Sequence, residues 1–383
     1  MTDTRRATAP AHTAPPRLGT AAPASAEALR APGRPAIARL AVALLGAVLA
    51  LGGCGLRLET PAPEPLVPDA TEVVRSRAVD DALALEAGAT GLAQARASAA
   101  APEDALTPVL ADVAAFSAEH ARQLGGVYDS GLPEPTPTAS PSPTPQVPDA
   151  TALLALVATA ADTSRTDADA VEDGELARLL GSVATARASL RDRLGAALGT
   201  AVPEPVDPAP DPAATVQAGP LPDDTYADLV VAEDEVGYAY EVVAAKLTGD
   251  ARVAAQADAA GHRARAEAWA RESGVDGTAV DPRRTAYALP TGLDDPQVAL
   301  DLGRTLELRL TVAYASAVAM APVGARTAVL DALRTADAES TAHGAPHVAF
   351  PGLPEQDPGN AAVPGGVAGT DAGPAEPAGV EDD

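Results

Sequence analysis

The chain has 383 residues, with 53 acidic and 27 basic side chains, so its formal net charge at pH 7 is −26. This acidic balance argues against nucleic acid or anionic lipid surfaces as partners, because both are bound through basic surface. There is one cysteine, which excludes an intrachain disulfide and a site built from several thiolates.

An apolar run that ends at this cysteine marks the N-terminal part of the chain. Residues Leu40 to Leu51 carry no charge, and Arg34 and Arg39 precede them, which is the layout of an export signal. The run is about a dozen residues long, short of the roughly 20 that span a bilayer as a helix. It closes on Leu-Gly-Gly-Cys at 51–54, which resembles the bacterial lipobox.

The lipobox resemblance implies that residues 1–53 are a lipoprotein signal peptide and that the chain is cut before Cys54. It also implies that the Cys54 thiol receives a diacylglycerol, which would hold the protein at the extracytoplasmic face of the cell membrane. The alternative is a plain signal peptide with an incidental cysteine. The leader contains six Arg and two acidic residues, so the remaining chain, with 21 basic and 51 acidic residues, is more acidic still.

Residues 54–68 are rich in proline and are interpreted as a tether, and residues 69–200 as an N-terminal helical domain. Four helical patterns lie in this domain, and their ends are marked by acidic first turns, glycine or proline. The predicted helices are Ala70–Ser98, Glu103–Leu124, Asp149–Asp162 and Glu172–Leu198.

Two proline-rich segments interrupt the helical patterns. Residues 133–148, PEPTPTASPSPTPQVP, favour extended polyproline II and are interpreted as a solvated loop, with O-glycosylation as the alternative. Residues 201–222 are a second break and the predicted linker between domains. The tail, 356–383, has no basic residue and is predicted to be disordered.

Four more helical patterns lie between residues 223 and 355, and no strand-like alternation stands out anywhere. The predicted helices are Asp223–Leu247, Asp250–Ser273, Pro296–Ala321 and Gly324–His343. The sequence therefore predicts an all-α protein with two antiparallel four-helix bundles in series, joined by Pro-rich linkers.

Polar residues fall on the apolar faces of the last four helices. Glu233 lies in the middle of a stripe at helical spacing, where a carboxylate is costly unless it is paired or bound to a cation. Six such residues could converge in the bundle: Glu233, Asp258, His262, Glu307, Glu339 and His343. This outline is similar to the di-metal sites of ferritin-like bundles, which would hold iron or manganese. The spacing differs, because each acid–His pair is four residues apart and not three, so ion pairs and helix caps are the preferred interpretation.

Four segments of this second half also resemble a known family. They are AEDEVGYAYEVVAAKL at 232–247, AGHRARAEAW at 260–269, YALP at 287–290 and FPGLPE at 350–355. They look like the ferritin-like domain-of-unknown-function family 4439 of actinobacteria, over residues 223–355. The resemblance implies a ferritin-like four-helix domain on an envelope lipoprotein, and it implies no activity.

The preferred hypothesis is a non-enzymatic envelope lipoprotein, with a structural role or a binding role towards an envelope protein partner. No catalytic or cofactor-binding residues are identified, and no Gly-rich phosphate loop, CxxC or HExxH motif is present. The alternative hypothesis is a ferritin-like di-metal carboxylate protein, for metal storage or as an oxidase, built on the six residues above. A passive spacer is a third possibility.

Overall fold

Eight α-helices and no strand are found in the residues that the computed structural model describes, which are 68–99, 104–128, 147–200 and 220–356. The predicted all-α class is confirmed for these residues. The helices are α1 (Ala70–Ser98), α2 (Leu106–Gln123), α3 (Ala150–Ala170), α4 (Gly174–Leu198), α5 (Asp223–Lys246), α6 (Gly249–Glu272), α7 (Pro296–Met320) and α8 (Thr327–Ala342).

Helix α3 is the one whose predicted extent was wrong, because it runs eight residues beyond the expected end at Asp162. The added turns are polar and carry no apolar stripe, so the sequence pattern stops early. Tertiary contacts hold them in place: Ser164 accepts a hydrogen bond from Arg187 at 2.7 Å, and Asp167 pairs with Arg77. The other seven helices begin and end within three residues of their predicted limits.

Aspartate side chains cap the start of four helices. Asp69, Asp149, Asp173 and Asp295 each accept hydrogen bonds from backbone N–H groups of the first turn of α1, α3, α4 and α7. Those N–H groups have no partner inside a helix, so an acidic cap satisfies them and also suits the positive end of the helix dipole. The abundance of acidic residues therefore has a local structural use.

Helix α4 connects the first four helices to the last four, because it lies against both α7 and α8. Two glycines on α4 permit this approach. A Cβ at Gly181 would lie 2.7 Å from a methyl carbon of Leu330, and one at Gly174 would collide with the carbonyl oxygen of Ala319. One continuous apolar core includes Leu180 of α4 and residues of both sets of helices.

A C-terminal strap, residues 345–354, follows α8 and crosses both sets of helices. The backbone carbonyl of Ala349 accepts a hydrogen bond from His120 at 2.7 Å, and that of Pro351 accepts one from Ser182 at 2.8 Å. Gly352 has φ +78°, and a Cβ there would lie 2.5 Å from the carbonyl oxygen of Thr311. Only glycine fits such a position, so FPGLPE is the segment that closes the strap onto the helices.

All the described residues belong to one compact unit, in which the two sets of helices pack against each other. The division into two bundles in series therefore stays a prediction. The predicted leader and Cys54 lie outside the described residues, as do the tether up to residue 67, the loop up to residue 146, the linker up to residue 219 and the tail from residue 357. Among the helices that are described, none has both the length and the apolar character to cross a bilayer.

Candidate functional site

Four of the six residues singled out in the sequence meet inside the last four helices. Glu233 of α5, His262 of α6, Glu307 of α7 and Glu339 of α8 contribute one side chain from each helix. The first three are fully buried, whereas the Glu339 side chain is 35% exposed. Of these four side chains, only Glu339 on α8 reaches solvent to a sizeable extent.

His262 lies at the centre of the cluster and bridges two glutamates. Its Nδ1 is 2.8 Å from Glu233 Oε2, and its Nε2 is 3.0 Å from Glu307 Oε1. An imidazolium ring donates at both nitrogens, so this arrangement suits the charged form. The ring of Tyr240 stacks on that of His262, with centroids 5.5 Å apart, and closes one side of the cluster.

Arg265, one turn along α6 from His262, supplies a second cation to the same cluster. Its Nε donates to both carboxylate oxygens of Glu233, each at 3.1 Å, and its Nη2 donates to Glu339 Oε2 at 3.2 Å. The same Nη2 lies 2.7 Å from His262 Nδ1; with Nδ1 protonated and donating to Glu233, this is a close approach of two N–H donors and not a hydrogen bond. The carboxylates on either side offset the repulsion between these two cationic groups.

Two tyrosine hydroxyls complete the hydrogen bonding of the glutamates. Tyr314 donates to Glu233 and accepts a hydrogen bond from the indole N–H of Trp269 at 3.1 Å. Tyr240 donates to Glu307 Oε1 at 3.1 Å. The second oxygen of Glu307, Oε2, is buried and has no hydrogen-bond partner in the structure.

The protonation of the cluster follows from three carboxylates facing two cations. Burial favours the neutral ring, but hydrogen bonds to Glu233 and Glu307 outweigh it and raise the pKa of His262 to about 9. Burial likewise opposes ionisation of Glu233, yet Arg265 and His262 lower its pKa. Burial raises the pKa of Glu339 to about 7 despite Arg265. Glu339 is therefore only partly ionised at neutral pH.

The other two predicted residues lie beside the cluster and make no hydrogen bond to it. Asp258 is half-buried one turn before His262, and burial raises its pKa. His343 is the C-cap residue of α8, and its ring lies 5.3 Å from that of Tyr240. The cluster therefore lacks the fourth carboxylate and the second histidine that a two-metal set would require.

Arg265 is the residue of this cluster that sequence reasoning missed. The signal was present, because residues 262, 265 and 269 are spaced by three and four and so share one helix face. Arginine at such a position is usually read as a side chain that reaches solvent along its apolar stem. Here the side chain is only 12% exposed, because α5 and α8 both present carboxylates to it.

A single metal ion fits part of the cluster. His262, Glu307 and Glu339 each offer a ligand atom, and these atoms lie within 4.8 Å of one another. The unpartnered Oε2 of Glu307 is a free acceptor at this point. Against this fit, Arg265 already occupies Glu233 with two hydrogen bonds and also contacts Glu339. The residues suit at most one ion, with an imidazole and two carboxylates as ligands.

Residues 225–355 match a family model described as a domain of unknown function, DUF4439. The match covers α5 to α8 and the strap, and so contains the whole cluster around His262. No curated protein and no solved structure matches the chain significantly. The resemblance drawn from the four sequence segments is thus supported at the level of the domain family.

Proposed function

We propose that this protein is a lipid-anchored, non-enzymatic helical protein of the extracytoplasmic membrane face, with a binding or structural role towards an envelope protein partner. Lipid on Cys54 would hold it at the membrane, and a ferritin-like bundle would form its C-terminal part. In this function the buried cluster serves the fold, since it joins four helices through charges that compensate one another.

The position of Arg265 is the observation that carries this proposal. In a ferritin-like metalloprotein the buried glutamates hold metal cations, whereas here a guanidinium and an imidazolium lie among them. A guanidinium is charged at all physiological pH values, so it competes with a metal ion for these carboxylates at any such pH. The glutamates are therefore supplied with positive charge by the chain itself.

Metal analysis of the exported protein tests this role of Arg265. After incubation with Fe²⁺ or Mn²⁺ and desalting, we expect well below one ion per chain in the unmodified protein. Arg265→Ala removes the competing cation, so we expect it to retain about one ion more than Arg271→Ala, whose arginine pairs on the surface with Glu267. Stoichiometric metal in the unmodified protein would overturn the metal-free assignment.

The membrane anchor has its own test. Cys54→Ala removes the acyl acceptor, so we expect the exported chain to move from the detergent phase to the aqueous phase and to keep an uncleaved leader. Cys54→Ser, which is closer in size, is the matched variant and should behave in the same way. If both variants keep the size and the partitioning of the unmodified protein, the lipid anchor is disproved, and the proposed envelope location loses its support.

A metal-binding protein with one divalent ion is the second candidate function. The unpartnered Glu307 Oε2 beside His262 and the partly exposed Glu339 favours it. The metal analysis described above distinguishes the two candidate functions. The metal-binding candidate predicts one Fe²⁺ or Mn²⁺ per unmodified chain. Glu307→Gln should then abolish retention of the ion, whereas Glu241→Gln, an exposed carboxylate paired with Arg263, should leave it intact.

A further inference from the structure

A cleft between α7, α8 and the C-terminal strap lies apart from the cluster around His262. It encloses about 330 Å³ of space that is partly open to solvent, and its inner part accommodates about one water molecule. Asp337 of α8 lines it, two residues before Glu339. Two residues correspond to about 200° around a helix, so the two carboxyls face different sides of α8.

The carboxyl of Asp337 is the one acid of the described residues that combines deep burial with the lack of any partner. Its residue is 7% exposed, and no hydrogen bond or ion pair reaches its side chain. A carboxyl without a protein donor costs folding free energy unless water or a bound group reaches it from the cleft.

The side chains that line the cleft do not supply the missing donors. The strap contributes Pro346, Pro351 and Pro354, which have no backbone N–H. The hydroxyl of Thr311 donates to the carbonyl of Glu307, and that of Ser340 donates to the backbone carbonyl of Asp337. No side chain that lines the cleft donates to the carboxylate, so water or a bound group supplies the donor.

We propose that this cleft binds a primary ammonium group carried on an apolar stem. An ammonium is about the size of the water molecule that the inner cleft accommodates, and it brings three N–H donors and a positive charge to Asp337. The cleft is also lined by Val312, Val348 and the prolines, which suit a methylene chain. A planar guanidinium is larger than the inner space. The source of the group is a lysine side chain of a partner or a free alkylamine.

A ligand-observed NMR titration of the full chain with n-butylammonium chloride tests the site. For a ligand of so few atoms we expect a saturable signal with a Kd of the order of millimolar. Tetramethylammonium chloride has the same charge but no N–H donor and a larger head, so we expect it to bind at least about tenfold more weakly. Equal responses to the two salts would mean general charge screening and would overturn the proposal.

Two variants locate the binding. Asp337→Asn keeps the shape but removes the negative charge, so we expect at least about a tenfold loss of n-butylammonium binding. It relieves a buried carboxyl, so the variant should fold, which circular dichroism can verify. Asp294→Asn changes a carboxylate that is 83% exposed and should bind as the unmodified chain does. Binding that is absent in the unmodified chain, or unchanged in Asp337→Asn, would disprove the site.

A pair of peptides distinguishes the two sources of the ammonium group. One is acetyl-Ala-Ala-Lys-Ala-Ala-amide and the other carries acetyl-lysine at the centre. Tighter binding of the lysine peptide than of n-butylammonium assigns the site to a partner's side chain, and the reverse order assigns it to free amines. If the ammonium site is disproved, the proposed membrane anchor and the result of the metal analysis still stand, because neither depends on Asp337.

Discussion

Two buried arginines, Arg187 in α4 and Arg265 in α6, show how the two sets of helices handle the same charge. Arg187 is fully buried and donates to the carbonyls of Ala78 and Ala160 and to the hydroxyl of Ser164. The nearest carboxylate is Asp81, at 3.8 Å. Arg265 is surrounded instead by the carboxylates of Glu233 and Glu339.

The electrostatic consequences are opposite. Burial among neutral oxygens lowers the pKa of Arg187 to about 10, although Asp81 partly offsets it. At Arg265 burial acts in the same direction, but Glu233 and Glu339 outweigh it and raise the pKa. Arg187 therefore joins α1, α3 and α4 as a hydrogen-bond donor, whereas Arg265 is needed as a counter-charge. The variants below test this difference.

Arg265→Met is expected to have the largest effect, a loss of about 3–5 kcal/mol in the free energy of unfolding, because it leaves buried carboxylates without their cation. Urea denaturation at pH 7.5 measures it. Glu233→Gln removes one of these carboxylates, so the double variant should recover part of the loss. A double variant that shows the simple sum of the two losses would mean that the two side chains are not coupled.

Arg187→Met is expected to cost less, about 1–3 kcal/mol, although Arg187 is the more deeply buried of the two arginines. The carbonyls of Ala78 and Ala160 already accept hydrogen bonds within their helices, and Asp81 is 27% exposed and can be hydrated. The same urea denaturation applies. If Arg187→Met were the more damaging variant, the assignment of Arg265 as the required counter-charge would be wrong.

His120 of α2 is a third buried basic side chain, and it makes the free energy of unfolding depend on pH. Burial, with the nearby charge of Arg187, lowers its pKa to about 3, and its Nε2–H donates to the carbonyl of Ala349. Above pH 6.5 the ring is neutral in both the folded and the unfolded chain. Below pH 6.5 only the unfolded chain takes up the proton, so stability falls by up to about 1.4 kcal/mol per pH unit, towards pH 3.

The measurement is the free energy of unfolding at pH 6.5 and at pH 5, for the unmodified chain and for His120→Gln. Glutamine can still donate to Ala349 but does not titrate, so the unmodified chain should lose about 2 kcal/mol more over this interval. Glu339 and Asp337, whose pKa values are raised to about 7, also change protonation there, and they do so equally in both chains. Parallel pH profiles would show that His120 is protonated in the folded state.

Local patterns in the sequence predicted the helices and part of the cluster. Apolar spacing placed Glu233 on a buried face, and capping residues and glycines placed most helix ends within a few residues. The same reasoning brought His262, Glu307 and Glu339 to one point only by analogy with a four-helix bundle. The apolar stripe on each helix predicts which face is buried, but it does not predict which residues of other helices pack against that face.

Long-range partners explain what the sequence did not predict. Arg265 is buried because of carboxylates on α5 and α8, and the last turns of α3 are held by side chains of α1 and α4. Asp337 falls at helical spacing from Leu333 and was hidden by its apolar neighbours. For Arg265 and the end of α3, side chains far along the chain determine the environment, and a local sequence pattern does not contain that information.

Gly174→Ala tests the contact that brings the two sets of helices together, with the smallest expected effect. An added Cβ at Gly174 would collide with the carbonyl oxygen of Ala319 in α7, and a backbone atom yields less readily than a flexible side chain. We expect a loss of about 1–2 kcal/mol in the free energy of unfolding. The matched variant is Gly91→Ala in α1, where no atom lies within 4 Å of the new Cβ. It should gain up to about 1 kcal/mol from helix propensity. Equal gains in both variants would mean that the start of α4 does not lie against α7.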